Sequence, residues 1–168
     1  MALLWLAADW AKSQPVILSV VTIDHRLRPE SNAETLVVKQ AAKQLGLAHT
    51  TLTWQGWQGE GNLQDAARQA RLTLINAWRG DIRHVLMAHT LDDQAETFLM
   101  RLRRGSGVDG LASMKNMVVR DDVLWIRPLL GLRKEELRSY LRNNNYSWIE
   151  DPSNFDNKYQ RVKMRRLL

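Results

Sequence analysis

Residues 88–111 read AHTLDDQAETFLMRLRRGSGVDGL. The run His84–Ala88 that leads into this stretch is short and apolar, as in a buried strand. Thr90-Leu-Asp-Asp93 has the spacing of a capping box, so a helix is predicted from there to Arg104, with Gly105-Ser-Gly107 after it. His89 then follows a strand, and Asp92, Asp93 and Glu96 fall in the first turns of the next helix. Glu96 is three residues from Asp93 and four from Asp92, so it shares a helix face with both. A strand feeding such a helix places one imidazole and up to three carboxylates at the carboxyl edge of a parallel sheet, where ligands bind.

The cluster has two chemical uses. It can hold Mg²⁺ beside a phosphate, or it can grip an ammonium group. Acids are also favoured at a helix N-terminus by its dipole, and the capping box needs one of them. That accounts for one or two of the three. At the far end of the helix, Arg101, Arg103 and Arg104 suit its C-terminal dipole, or they meet phosphate beside the glycines.

Outward from this block the order of elements repeats. Ala2–Lys12 has helical apolar spacing, and Val16–Ile23 (VILSVVTI) is β-branched and continuous, as in a strand buried on both faces. Ser31-Asn-Ala-Glu34 is a capping box and Gly46 a C-terminal stop, with an amphipathic helix between them. Ala48–Thr53 reads as a short strand and 54–61 (WQGWQGEG) as a loop, while Asn62 caps a helix that runs to Trp78. Strands alternating with helices predict an α/β, doubly wound parallel sheet. Beyond it, Val118–Val119 and Val123–Ile126 flank Arg120-Asp-Asp122 as a hairpin. Arg133–Asn143 is a charged amphipathic helix, residues 150–157 are turn-rich, and Gln160–Leu168 begins a further helix. The expected organisation is an α/β domain over 1–115, with 116–168 as a hairpin and small helical extension of the same catalytic domain.

A chain of 168 residues, 45% hydrophobic and 25% charged, is ordinary for one domain with a core. The absence of cysteine excludes a disulfide scaffold, a zinc–thiolate site, an iron–sulfur cluster and a cysteine nucleophile, and it fits a reducing cytoplasm. No run approaches a membrane span, and the apolar start carries Asp9 without a basic flank, unlike a signal peptide. The net charge of +6 is uneven: residues 1–100 hold 9 Lys/Arg against 10 Asp/Glu, and residues 101–168 hold 15 against 8. The second part is a candidate polyanion-facing surface or a solvated basic one. Two further segments carry chemistry. Asp24, His25 and Arg28 follow the first strand, where a nucleotide base or ribose can sit or a polar loop can simply close. Trp54 and Trp57 stand in a Gly-rich loop, where they can stack on a base or cover a site.

Taken together, these residues resemble the tRNA(Ile)-lysidine synthetases, PP-loop (N-type) ATP pyrophosphatases with an adenine nucleotide alpha hydrolase-like fold. The likeness runs along the whole chain. The family's Asp-His-Gly-Leu-Arg then Glu-Ser appears as DHRLRPES at 24–31, with Arg26 in place of glycine. Its His-x-x-Asp-Asp-Gln-x-Glu-Thr helix, Arg-Leu-x-Arg-Gly-Ser-Gly and Gly-Leu appear within 88–111. Its Arg-Pro-Leu-Leu is at 127–130, and its Asp-Pro-Ser-Asn with an Arg-rich helix is at 151–166. Three departures stand out. The family's Ser-Gly-Gly-x-Asp-Ser phosphate loop precedes a helix of the kind that starts here at Met1. The usual Arg-Asn is Arg161-Val162, and Leu72 follows Arg71 where the family often has tyrosine. The expectation is a chain that lacks the first strand, the phosphate loop and the family's C-terminal domains.

The resemblance implies a cytoplasmic ligase that uses ATP and Mg²⁺. ATP adenylates the C2 oxygen of cytidine 34 in the CAU anticodon of an isoleucine tRNA, and lysine then displaces AMP to give lysidine. Carried over by position, His89, Asp93 and Glu96 belong to the lysine and adenylate site, and Asp92 or Asp93 serves Mg²⁺. Arg161 and Arg165 stabilise charge on the α-phosphate. Asp92, Arg68, Arg71, Arg101 and Arg104 contact substrates, and Asp24, His25 and Arg28 contact the nucleotide. The partners implied are the tRNA, L-lysine and ATP, with no membrane; the reading admits a homodimer. The cysteine-dependent tRNA-thiolating relatives are a poor match for a chain without cysteine. The alternative is a non-catalytic tRNA- or nucleotide-binding remnant of such an enzyme.

Overall fold

A computed structural model describes residues 1–26, 31–55, 57, 59 and 61–149. The element order is α1 (Ala2–Ala11), β1 (Ser19–Asp24), α2 (Ser31–Gln44), β2 (Ala48–Thr53), α3 (Leu63–Trp78), β3 (His84–Leu86), α4 (Leu91–Arg103), α5 (Val108–Leu111), β4 (Met117–Arg120), β5 (Val123–Ile126) and α6 (Lys134–Asn143). Contacts within the chain gather into two units, one ending at Ile82 and the other starting at Arg83.

In the first unit β1 and β2 pair in parallel, from Ser19 opposite Ala48 to Asp24 opposite Thr53. The helices α2 and α3 lie against this pair. Local chemistry sets their ends. The Asn62 side chain accepts the backbone N–H groups of Gln64 and Asp65, and so starts α3. Gly46, at φ +67, follows α2 while the Leu47 N–H returns to the Ala42 carbonyl. The buried side chains of this unit include Ala41, Ala42 and Ile75. The strand expected from Val16 begins only at Ser19 and is half-buried rather than sealed on both faces, with Ile17 96% exposed. The physical reason is the partner: the β2 ladder begins at Ala48, opposite Ser19, and offers nothing to pair with earlier residues.

In the second unit the strand order is β3-β5-β4. The expected hairpin is present. Arg120 pairs with Val123 across Asp121 and Asp122, which both have positive φ, as a two-residue type I′ turn requires. What local patterning did not convey is that β5 also joins β3 in parallel, Val85 lying opposite Trp125. β4 is thus an antiparallel edge on an otherwise parallel arrangement. Val123, Trp125, Leu129, Leu130 and Leu141 form the buried core, so the Arg-Pro-Leu-Leu segment supplies two of its side chains. The further helix expected over Gln160–Leu168 lies outside the described residues.

Candidate functional site: an acid-headed helix and an aromatic strand edge

α4 begins with its predicted capping box. The Thr90 hydroxyl accepts the Asp93 N–H at 3.4 Å, and the Asp93 carboxylate accepts the Thr90 N–H at 2.8 Å. The same oxygen, Asp93 Oδ2, also accepts the Thr90 hydroxyl at 2.8 Å. Asp93 is therefore aimed by the residue three places before it. Its other oxygen, Oδ1, accepts Lys134 Nζ at 3.0 Å. Nζ also donates to Glu96 Oε1 at 3.3 Å. The backbone N–H of Lys134, at the start of α6, donates to Asp92 Oδ2 at 2.8 Å. One lysine thus meets all three acids of the cluster, two through its ammonium and one through its backbone.

Burial grades this cluster. The Glu96 side chain is 0% exposed, Asp93 20% and Lys134 30%. A carboxylate removed from water needs a cation or several donors, and Lys134 supplies the cation. Burial alone pushes the Asp93 carboxyl up. The Lys134 charge, the two Thr90 hydrogen bonds and the Lys134 hydrogen bond together outweigh it and hold the group below the usual carboxylate range.

Lys134 was not singled out by the sequence, because it lies 41 positions from Asp93. One signal was available: a cation in the first turn of a helix opposes the helix dipole and calls for nearby acids. Gln94, in the same motif as the acids, accepts the Met114 N–H at 2.9 Å and fixes the segment after α5. His89 is half-buried in the turn between β3 and α4.

The arginines at the end of α4 separate. Arg101 is half-buried and donates through Nη1 to the Ala112 carbonyl at 2.6 Å, while Arg103 and Arg104 are exposed. Gly105, at φ +70, ends the helix. Its N–H returns to Leu102 and that of Ser106 to Arg101, the paired bonds of a Schellman stop. This glycine has a structural reason for being where it is, independent of any phosphate.

The second constellation belongs to the first unit, at the carboxyl ends of β1 and β2. Asp24 is buried, and its Oδ1 accepts the Arg26 N–H at 2.9 Å, closing a tight turn with Arg26 at φ +48. The Trp54 N–H donates to the Asp24 carbonyl at 2.8 Å, so the two strand ends are tied together. His25 meets Trp54 edge to face, ring centroids 5.5 Å apart, and Trp54 lies 6.3 Å from Trp57. Burial first, then the Arg71 charge, lower the His25 pKa, against an opposing pull from Asp24. The imidazole is therefore neutral near pH 7. Its Nδ1 is buried and has no hydrogen-bond partner among the described residues. Arg68 is exposed on α3. Arg28, Arg161 and Arg165 lie outside the described residues.

A PP-loop domain family matches residues 1–168. The tRNA(Ile)-lysidine synthase of Ruegeria pomeroyi is 50% identical over 169 residues, covering 99% of this chain and 40% of that protein. That of Bradyrhizobium sp. is 48% identical over 173 residues, covering 100% of this chain and 48% of its own length. That of Wolbachia pipientis wMel is 43% identical over 170 residues, covering 99% and 39%. The chain thus spans 40% and 48% of the first two of these relatives. Among solved structures, the U34-tRNA thiolase NcsA from Methanococcus maripaludis superposes with a TM-score of 0.82 at 14% identity, over 99% of this chain and 60% of that one. A likeness at that identity speaks for the α/β fold alone. The match over residues 1–168 settles the kinship: the chain belongs to the PP-loop domain family.

Proposed function

We propose that this chain is the catalytic part of a tRNA(Ile)-lysidine synthase. The reaction joins lysine to C2 of cytidine 34. ATP first transfers its adenylyl group to the C2 oxygen, and pyrophosphate leaves. The neutral lysine ε-amine then attacks C2, a C–N bond forms, the C2–O bond breaks, and AMP departs while the nitrogen gives up a proton. The observation that carries the reading is that Asp93 and Glu96 already hold a primary ammonium group, that of Lys134, at 3.0 and 3.3 Å. Relatives up to 50% identical and named for lysidine formation support it.

The residues divide the work by their chemistry. Asp93 and Glu96 bind the α-ammonium of lysine, leaving the ε-amine as nucleophile. His89, at the head of the same helix, is placed with the adenylate. At the other strand edge, Asp24, His25 and Arg28 take the nucleotide, and Trp54 offers a ring face to a base. Arg68, Arg71, Arg101 and Arg104 supply cations for carboxylate and phosphate, and Arg161 and Arg165 stabilise the charge that develops at the α-phosphate. The enzyme works in the cytoplasm on soluble substrates; no helix among the described residues is long and apolar enough to cross a membrane.

The acids are an uneven fit for Mg²⁺. Among the described residues no three His, Asp or Glu side chains converge as a metal site. Both oxygens of Asp93 are committed to Thr90 and Lys134, whereas among the described residues Asp92 is engaged through Oδ2 alone. Mg²⁺ is usually held by one or two carboxylates plus substrate phosphates, and Asp92 is the residue that fits this role. Bound there, the ion would neutralise charge on the phosphate oxygens of ATP.

The test is lysine-dependent AMP release with an isoleucine tRNA bearing a CAU anticodon. Asp93→Asn is expected to abolish it, and turnover at the wild-type rate in that variant would sink the assignment. Arg161→Ala is expected to slow adenylation more than it weakens ATP binding. Equal loss in both would make Arg161 a binding residue only.

A further inference from the structure

The helix α6 places a lysine where the proposed substrate's own ammonium belongs. Lys134 Nζ makes two contacts, to Asp93 Oδ1 and to Glu96 Oε1, and these are the contacts a substrate ammonium would make. Asp93 does not depend on Nζ for its aim, because its Oδ2 is held by the N–H and hydroxyl of Thr90. Glu96 is fully buried on the same helix, which limits where its carboxylate can go. The root of the lysine is fixed separately, because its backbone N–H is bonded to Asp92. Between that fixed root and the two acids runs a flexible four-carbon stem, 30% exposed. Nζ can therefore leave for water while the backbone and both acceptors stay in place.

We propose that Lys134 is an internal ammonium ligand of the Asp93–Glu96 pair, displaced by the ammonium group of the incoming amine, and that it thereby sets the affinity and selectivity of the site. This inference rests on the reading of Asp93 and Glu96 as the amine-binding acids. While the site is empty of substrate, Lys134 keeps a fully buried carboxylate compensated, which the fold needs. When an amine arrives, one ammonium replaces another, so the number of charges held inside does not change. A ligand without a cationic amine cannot make the exchange and is refused. The binding-competent fraction of the protein is the fraction with Nζ swung out, and the apparent affinity is reduced by that fraction.

Two substitutions test it. Lys134→Met keeps the stem and removes the charge, and Lys134→Ala removes both and leaves room for a small amine. L-lysine, titrated calorimetrically, is expected to bind Lys134→Met about three- to tenfold more tightly than the wild type. Lysine that binds the wild type and binds Lys134→Met no tighter overturns the proposal, since a merely supporting lysine would loosen the site when removed. The second arm uses no lysine. Methylammonium chloride is expected to raise the melting temperature of Lys134→Ala more than sodium chloride or tetramethylammonium chloride at equal ionic strength, and to leave the wild type unmoved relative to those salts. Equal shifts in all three salts overturn the proposal. Rescue by methylammonium, with L-lysine binding neither wild type nor Lys134→Met, keeps the internal ligand and removes lysine as the substrate.

Discussion

The head of α4 and the paired ends of β1 and β2 are both places where a strand gives way to polar residues, yet they are built on opposite plans. At α4 charge is matched against charge: Asp92, Asp93 and Glu96 share a single lysine, and Thr90 locks Asp93 from the other side. At β1 and β2 the parts are rings and a turn: His25 against Trp54, Trp54 against Trp57, and Asp24 folded back on Arg26. The first arrangement carries its own counter-charge. The second is held by ring contacts and a backbone turn. A region of the first kind holds its shape through ion pairing. A region of the second kind depends on keeping a titratable ring neutral.

The contrast is broken most directly at Glu96. Its replacement by alanine removes a fully buried carboxylate and leaves the Lys134 ammonium facing Asp93 alone. Truncating a fully buried side chain leaves a cavity, at a cost of about 2–5 kcal/mol, and Lys134, 30% exposed and still paired with Asp93, adds little, so the expectation is about 2–3 kcal/mol. Urea unfolding of Glu96→Ala measures this. A loss under about 0.5 kcal/mol, the range of ordinary surface changes, would mean that the cluster does not organise the unit around it.

Thr90→Ala comes next. Loss of an N-cap hydroxyl costs about 1 kcal/mol, and Asp93 also loses one of the donors that hold its carboxyl low. The pH dependence follows from that. A carboxyl whose folded pKa lies below the unfolded value contributes stability in full above about pH 4, and that contribution disappears as pH falls through the lower folded value. In Thr90→Ala the gap between the two values narrows, so less stability is lost on acidification below pH 4. Thr90→Ser is expected to restore both the stability and the acid limb. A serine variant that behaves like alanine would show that the methyl group, not the hydroxyl, is what matters.

Much of this was legible from the chain because it is decided within four residues. Thr90 and Asp93, Asn62 and the Asp121-Asp122 turn each fix an element end through neighbours in sequence, and each was predicted and found. The start of β1 was not legible, because it is set by where β2 begins, and the parallel seat of β5 beside β3 was not, because it joins segments far apart. Lys134 escaped for the same reason. The acids were visible as a local cluster, but their partner is 38 and 41 positions away and looks like one more charge on an amphipathic helix. Gly105 shows the reverse case: a glycine that invited a phosphate reading also has a local structural role, as the Schellman stop of α4.

The two regions should also part in their pH windows. His25, and His49 beside Lys39 on β2, both have pKa values lowered first by burial and then by a neighbouring cation. A histidine whose folded pKa is depressed contributes stability above its unfolded value of about 6.5, and loses it as pH falls from there toward the folded value. The first unit therefore carries a contribution that is lost as pH falls below about 6.5, and the α4 cluster one that is lost below about pH 4. His25→Gln is expected to flatten the dependence of stability on pH between 7 and 5 without abolishing it, since His49 remains. An unchanged slope would remove His25 from the buried side of that loop.

The smallest effect sharpens the comparison at its strand edge. Arg26 sits at φ +48, where a side chain with a Cβ is strained by about 1–2 kcal/mol and glycine is not. Glycine is also the residue the resembled family carries at this point of its Asp-His motif. Arg26→Gly relieves the strain but gives the unfolded chain more freedom, which offsets about 0.5–1 kcal/mol of it. The expected result is a gain of about 0.5 kcal/mol, read as a higher urea midpoint with an unchanged slope. A loss instead would mean that the arginine side chain contributes more than its backbone costs. The turn would then owe its shape to a cation as well as to Asp24, and the aromatic edge would stand closer to the charge-matched plan of α4 than its ring contacts suggest.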